Sequence, residues 1–438
     1  MLRKCIALLI FILAVPASPA TIDQTLEIDT VWSGHPVGFS LLTAPPHQYA
    51  AYYDADRRMV VAQRNLDEDT WTKTKLPEKV AWDSHNYITM TLDDDGYLHL
   101  SGNMHVHPLK YFRSEKPCDS TTLKRVKNMV GTEEERTTYP RFFRGPDNVL
   151  LFTYRDGSSG KGNQIYNAYD HKTQSWERLL DQPLIDGEGL RNAYISGPSL
   201  GPDGLWHMVW VWRTTYDCAT NHYPSYARSN DLKHWETGTG KALELPITFA
   251  TSDVVDPVPE GGGVINGNVK LSFDHDLRPV VTYHKYDENG KTQLYNTRLE
   301  NGEWVVHQSS DWDYRWDFSG GGTIVFEVSI GAISKKGDAL TQSWRHSQYG
   351  RQLWRLDAET LAPVEQLPLP KSNTPPGLGK IESTFPGMQG KSAGDSGNSG
   401  EKGVHYQLRW ETLAQNRDRP REKPWPEAST LRLYKIRD

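Results

Sequence analysis

Cysteine is scarce in this chain, with 3 in 438 residues. Cys5 falls in an N-terminal apolar stretch, which leaves Cys118 and Cys218 for the folded body. That excludes a disulfide-dense scaffold. The remaining pair can form one disulfide, bind metal or stay as buried thiols, and spacing alone does not choose among these. An excess of basic residues is also lacking. The formal net charge of −6 argues against a general nucleic-acid binder. Beyond residue 20 no run approaches the roughly 18 apolar residues that a membrane-crossing helix needs. Amphipathic helical periodicity of useful length is missing too, which argues against a helical bundle.

The one apolar stretch lies at the start. Arg3 and Lys4 precede a run from Ile6 to Val15, and Pro19-Ala20 closes a small-residue region. This is the layout of a secretory signal over 1–20, and it is short for a membrane anchor. The expectation is a soluble mature chain that starts near Thr21 and is secreted or periplasmic. It should be a monomer without membrane or nucleic-acid partners.

Aromatic residues are abundant, with 15 Trp and 21 Tyr, and they suit sheets better than helices. A unit recurs along the chain: a strand, an Asp/Gly turn, a very apolar second strand ending in Arg or His, a third strand, and a fourth often marked by Trp. The second strands are Gly96 to His105, Asn148 to Arg155, Gly204 to Arg213, Arg278 to His284, Asp338 to His346 and Gly403 to Arg409. Trp71, Trp176, Trp235 and Trp304 mark fourth strands. Four-stranded units at this spacing predict an all-β, seven-bladed β-propeller over 21–438 as a single domain. Counting starts at Gln48, and the last unit, Gly403 to Ile436, should be completed by a strand around Leu26 to Trp32. The Gly-, Pro- and Ser-rich segment Lys371 to Lys402 is expected to be a long loop.

In such a unit the start of strand one and the end of strand two share a face. His85, Tyr139 and Tyr194 stand at strand-one starts; His105, Arg155, Arg213, His284 and Arg345 stand at strand-two ends. Each basic residue could simply cap its strand and pair with a neighbouring acid such as Asp156. As a set they predict a cationic face that attracts anions. Removing a proton beside a carboxylate needs a base, an acid and a cation for the anion, and His85, His105, Tyr139 and Arg155 supply those types.

Other features carry weaker signals. D-D-D-G at 93–96 reads as a β-turn more readily than as a calcium loop. S-N-D-L-K-H-W at 229–235 looks like a degenerate Asp-box turn. His207, Cys218 and His222 could hold a structural metal, zinc or calcium, and His222 could instead face substrate. The aromatic loop at 311–322, with Tyr314 and Arg315, could stack on sugar rings or plug the ring.

Several segments carry a family resemblance: W-S-G-H-P-V-G-F at 32–39, D-S-H-N at 83–86, S-G-N-M-H at 101–105, T-Y-P-R at 138–141, T-N-H-Y-P-S-Y-A-R-S at 220–229 and D-W-D-Y-R-W at 311–316. Over nearly the whole mature chain the sequence resembles the seven-bladed BNR-repeat-like propellers that include ulvan lyases and related α-L-rhamnosidases. The resemblance implies a canyon on one face with His85, His105, Tyr139 and Arg155 as catalytic residues. It matches Tyr194 and His222 to further canyon positions; Arg213 on the cationic face and Tyr314 and Arg315 in the aromatic loop are further candidate substrate contacts. The implied activity is β-elimination on an anionic uronic-acid polysaccharide, most of all ulvan, with no cofactor required for the chemistry. The rhamnosidases use a different face and a single histidine that His35 matches. An exo-rhamnosidase and a non-catalytic glycan-binding propeller are the alternatives.

Overall fold

The structure is a computed structural model that describes residues 20–438. Apart from Ala20, the expected export signal lies outside the described residues. Among the described residues the chain is all-β, and its helical content is four three-residue 3₁₀ turns. No helix there is long and apolar enough to cross a membrane.

The strands group into seven antiparallel sheets. The first holds Ser40–Ala44, His47–Tyr53, Arg58–Asn65 and Thr72–Lys79; the second Ile88–Leu92, Leu98–Gly102, Tyr111–Ser114 and Leu123–Val126. The third is built on Thr137–Arg144, Leu150–Ser158, Lys161–Asp170 and Ser175–Arg178. The fourth is built on Asn192–Leu200, Trp206–Arg213, Asn221–Ser229, Trp235–Glu236 and Ala242–Leu243. The fifth holds Lys270–Phe273, Pro279–Tyr286, Thr292–Glu300 and Glu303–Gln308; the sixth is built on Val328–Ile330, Ala339–His346, Gly350–Leu356 and Pro363–Leu367. In the seventh, Met388–Gly394, Val404–Leu413 and Ser429–Arg437 are joined by the chain's first strand, Thr21–Val31. That strand covers an edge that would otherwise stay open.

Two expectations need correction. The first unit begins at Ser40, ahead of Gln48. The segment expected as a loop contains the strand Met388–Gly394, which pairs with Val404–Leu413. Its sequence M-Q-G-K-S-A-G has no apolar alternation, so only the neighbouring apolar strand makes it a strand.

The turns repeat because one aspartate trick repeats. Asp54, Asp93, Asp274 and Asp287 each use Oδ1 to accept the backbone N–H two and four residues on. The residue before the last N–H is left-handed in all four turns: Arg57, Gly96, Leu277 and Gly290. D-D-D-G at 93–96 is therefore a hydrogen-bonded turn whose Oδ1 is already committed. The Asp-box-like segment behaves alike, with Asp231 Oδ1 accepting from Lys233 and His234 N–H.

The second strands carry the core. Met208, Val209, Trp210, Val211 and Trp212 are all fully buried, because a middle strand is covered on both faces. Apolar clusters bridge successive sheets. Val31, Leu41, Leu100 and Leu408 join the seventh, first and second. Tyr111 with Phe152 joins the second to the third, and Leu151 with Trp210 joins the third to the fourth. Val209 with Val281 joins the fourth to the fifth, and Val280 with Leu340 joins the fifth to the sixth.

Two buried histidines sit in this core. His284 lies against Trp316 and Phe318, and His346 against Trp312, Tyr314 and Tyr349. Burial pushes both imidazoles down to about 4. Above pH 6.5 both are neutral folded and unfolded, so they add no slope. Between about 6.5 and 4 only the unfolded chain takes the protons, so stability falls as pH falls. His284 alone should contribute a loss on the order of 3 kcal/mol across that window. Urea unfolding at pH 7 and pH 4.5 measures it, and His284→Phe should flatten the slope.

Candidate active site

The centre of the site is a carboxylate shared by two imidazoles. Asp83 caps the 3₁₀ turn Ser84–Asn86, accepting the His85 backbone N–H at 2.9 Å. Its Oδ1 lies 2.6 Å from His85 Nδ1 and its Oδ2 lies 2.6 Å from His105 Nδ1. The two rings stack with centroids 4.1 Å apart and planes 22° apart. Burial pushes the Asp83 carboxyl up, but the hydrogen bonds and charges of His105 and His85 outweigh it and hold it well below the usual carboxylate range. An ionised carboxylate only accepts, so both Nδ1 atoms donate. Each Nε2 is then left free to accept a proton.

These three side chains have ligand atoms within 4.8 Å of one another, close enough to consider a metal. The geometry favours acid–base work. The Nδ1 atoms and carboxylate oxygens already satisfy each other.

His105 reaches the site by a route the sequence pattern did not show. Its strand was expected to run on to residue 105, but strand two ends at Gly102. Asn103 is left-handed (φ 61°), and its amide bonds Glu78. His105–His107 then forms a short separate strand that pairs with Thr137 and Thr138 of the third sheet.

Tyr139 stands in an irregularity of its own. The ladder slips between Thr138 and Arg141, and Tyr139 has φ 61°. A left-handed aromatic residue before a proline is doubly disfavoured, by its Cβ and by the Pro140 ring. Such a residue costs about 1–3 kcal/mol and persists where surrounding contacts hold it. The distortion brings Tyr139 to a ring separation of 5.6 Å from His85 and 6.1 Å from Tyr194. Burial raises its hydroxyl far above the ordinary tyrosine value, Tyr194 adds to this, and Arg155 opposes it.

Arg155 faces Thr138 across the ladder and is 2 % exposed. Its guanidinium lies over Tyr139 at 5.0 Å and Tyr194 at 5.9 Å. One NH₂ group donates to Thr138 Oγ1 at 3.2 Å, while Nε and the other terminal nitrogen are buried with no acceptor. No carboxylate forms an ion pair with it among the described residues, so the expected alternative of a cap paired to Asp156 is not what the structure has. Burial raises the Tyr194 hydroxyl, but the Arg155 and Arg213 cations more than offset it and bring it below its ordinary value. Arg213 donates to that hydroxyl at 3.2 Å and to the Thr215, Tyr216 and Asp217 carbonyls.

The remaining expected residues divide. His222 is buried, with Nδ1 on the Thr220 carbonyl and its ring against Tyr223 and Phe249. His284 drops out of the cationic face, since it is buried and its lowered pKa keeps it neutral. Arg345 is held by the Phe326 carbonyl and Ser329. Tyr314 bonds Glu327, and Arg315 is engaged by Asp317 and the Gly290 carbonyl and lies over Tyr286. His207 and Cys218 do not meet as metal ligands. His207 is committed at both nitrogens, to Tyr226 at 2.6 Å and Asp203 at 2.8 Å, while Cys218 packs among Ile265, Leu294, Trp312 and Trp316. Cys118 and Cys218 are both free thiols.

His35 was expected at a different face. Instead its fully buried ring lies behind the histidine pair, bonded through Nε2 to Asp418 at 2.9 Å. Asp418 also accepts from Ser84 N–H and Oγ and from Thr323 N–H and Oγ1, and lies 3.5 Å from His85 Nδ1. It thus ties three distant loops to the turn that carries His85. Burial raises its carboxyl, but the bonds from His35, Thr323 and Ser84 prevail and hold it well below the usual range. Asp418→Ala would strand several donors at once and should cost about 2–4 kcal/mol in urea unfolding at pH 7. A loss under about 0.5 kcal/mol would show that this bracket bears no strain.

A sequence profile described as BNR repeat-containing family member matches residues 47–312. A relative described as ulvan lyase, long isoform, from Glaciecola sp. (strain KUL10) is 34% identical over 62 residues, 14% of this chain and 6% of that protein. The chain thus matches only a small part of that relative's length. Among solved structures, the polysaccharide lyase Uly1 superposes with a TM-score of 0.61 at 14% identity, over 95% of this chain and 99% of that one. A PL25 ulvan lyase bound to -[GlcA(1-4)Rha3S]- gives 0.55 at 13% identity, over 93% and 95%. At such identities the likeness is one of fold. The profile match covers more than half of the sequence, and on that ground the chain belongs to the BNR repeat-containing family.

Proposed function

We propose that this protein is a polysaccharide lyase that cleaves a uronic-acid polymer, ulvan above all, by β-elimination. The observation that carries the reading is Arg155: a buried guanidinium with unpaired N–H groups and no carboxylate, beside a histidine pair and a tyrosine hydroxyl. A uronate carboxylate supplies what it lacks. The ulvan lyase likeness in fold and in the short sequence match supports the polymer named. In this reading the seven sheets are the blades of one ring, a single domain over 21–438. Arg417 and Asp418, in the last connection of the seventh sheet, contact the 319–323 loop that runs from the fifth sheet to the sixth. An anionic polymer is degraded outside the cell, which fits a secreted or periplasmic protein and the signal-like stretch at 1–20.

The chemistry follows from the charges. Arg155 neutralises the carboxylate and makes the neighbouring C5 proton more acidic. His85 Nε2, its Nδ1–H fixed by Asp83, takes that proton, and the electrons of the C5–H bond form the C4–C5 double bond. The C4–O bond breaks, and Tyr139, kept as a neutral phenol by burial, gives its proton to the leaving oxygen. His105 stacks on His85 and shares its carboxylate, keeping the base in place. The side chains supply base, acid and cation, so the scheme requires no organic cofactor.

Incubation with ulvan should give rising absorbance in the ultraviolet band of unsaturated uronates. Tyr139→Phe should lower turnover about 10²–10⁴-fold with binding nearly intact, since only the proton-carrying oxygen is lost. Arg155→Ala should weaken both. Free rhamnose without absorbance would instead identify a hydrolase, and binding with neither product a glycan-binding protein.

A further inference from the structure

Tyr139 and Tyr194 also line a cavity of about 450 Å³. That is the size of a ligand pocket. Its walls come from the second to fifth sheets and their connecting turns, and two of its lining residues are cations, Arg141 and Lys270. No aspartate or glutamate lines it. Arg141 reaches across to the Gly197 carbonyl at 2.7 Å, and Lys270 Nζ to the Gly267 carbonyl at 2.8 Å. Neither forms an ion pair among the described residues. That sets them apart from other partly buried lysines of this chain: Lys110 pairs with Glu78 at 2.7 Å and Lys285 with Asp256 at 2.5 Å. Burial moves the Lys270 ammonium below its ordinary pKa, as for a cation that has lost water and gained no counter-charge.

We propose that this cavity is a second anion subsite, in which Arg141 and Lys270 receive a tetrahedral oxyanion of the sulfate class. Two cations sharing one acid-free cavity create a positive potential that an anion relieves. The donors stand on different walls, with Asn266 and Ser196 also lining the space. Donors spread over several walls suit a tetrahedral group, which accepts in several directions, whereas a planar carboxylate is matched by a single fork such as Arg155. Tyr139 and Tyr194 line this cavity and contact Arg155, so the two anion sites adjoin. The oxyanion is either free sulfate or a sulfate ester on the sugar next to the bound uronate; the second source rests on the lyase reading, the first does not.

The test is calorimetric titration with sodium sulfate at low ionic strength, using the full chain, Arg141→Gln and Lys270→Met. Wild-type protein should bind sulfate, and each substitution should weaken binding about tenfold or more. Sulfate binding that is absent in the wild type, or unchanged in both folded variants, overturns the proposal. Lys270 is half-buried and holds a single carbonyl, so Lys270→Met keeps the test decisive if Arg141→Gln unfolds. Steady-state kinetics on sulfated and desulfated polymer then separate the sources. A KM increase in Lys270→Met confined to sulfated polymer assigns the ester, and equal KM values with lost sulfate binding assign the free ion. If neither polymer yields unsaturated product, the lyase reading falls while the calorimetric result still decides the subsite.

Discussion

A buried arginine without a counter-charge sets the terms for everything near it. Removing a guanidinium from water is expensive unless its N–H groups find acceptors. Arg155 has one, the Thr138 hydroxyl. The rings of Tyr139 and Tyr194 return part of the loss through their π-faces. The left-handed backbone at Tyr139 is the geometric condition for that contact, so strain in one strand and charge in the next belong to one arrangement.

The histidine side of the site is governed by carboxylates behind it. Asp83 holds two imidazoles by their Nδ1 atoms and leaves their other nitrogens free. Asp418 in turn fixes the turn that presents His85, and it draws His35 and Thr323 into the same bracket. Contacts from residues 35, 84, 323 and 418 thus converge behind a few ångströms of active surface. In the proposed elimination, such convergence holds His85 still enough for proton transfer.

Much of this was legible in the sequence because its causes are local. The Asp-led turns, the apolar second strands and the basic residues that end them are short-range patterns, and they placed His85, Tyr139 and Arg155 at one end of adjacent units. What escaped depended on partners far along the chain. Asp418 lies more than 300 residues from the histidine it supports, and nothing around D-R-P marks it. Asp83 could have been found, since it stands two residues before His85 in D-S-H. The transfer of His105 to the next sheet hangs on a left-handed Asn103, and N-M-H does not show it. The strand pattern puts His284 at its strand end but does not show its burial against Trp316, which keeps it neutral.

The account stands on Arg155 as the seat of a substrate carboxylate. A crystal structure of the Tyr139→Phe protein with an intact uronate-containing oligosaccharide tests this directly. The account predicts the uronate carboxylate within hydrogen-bond distance of the Arg155 Nε and terminal nitrogens, with C5–H facing His85 Nε2. A uronate bound in the cleft with its carboxylate on other residues, and Arg155 still without an acceptor, would contradict it.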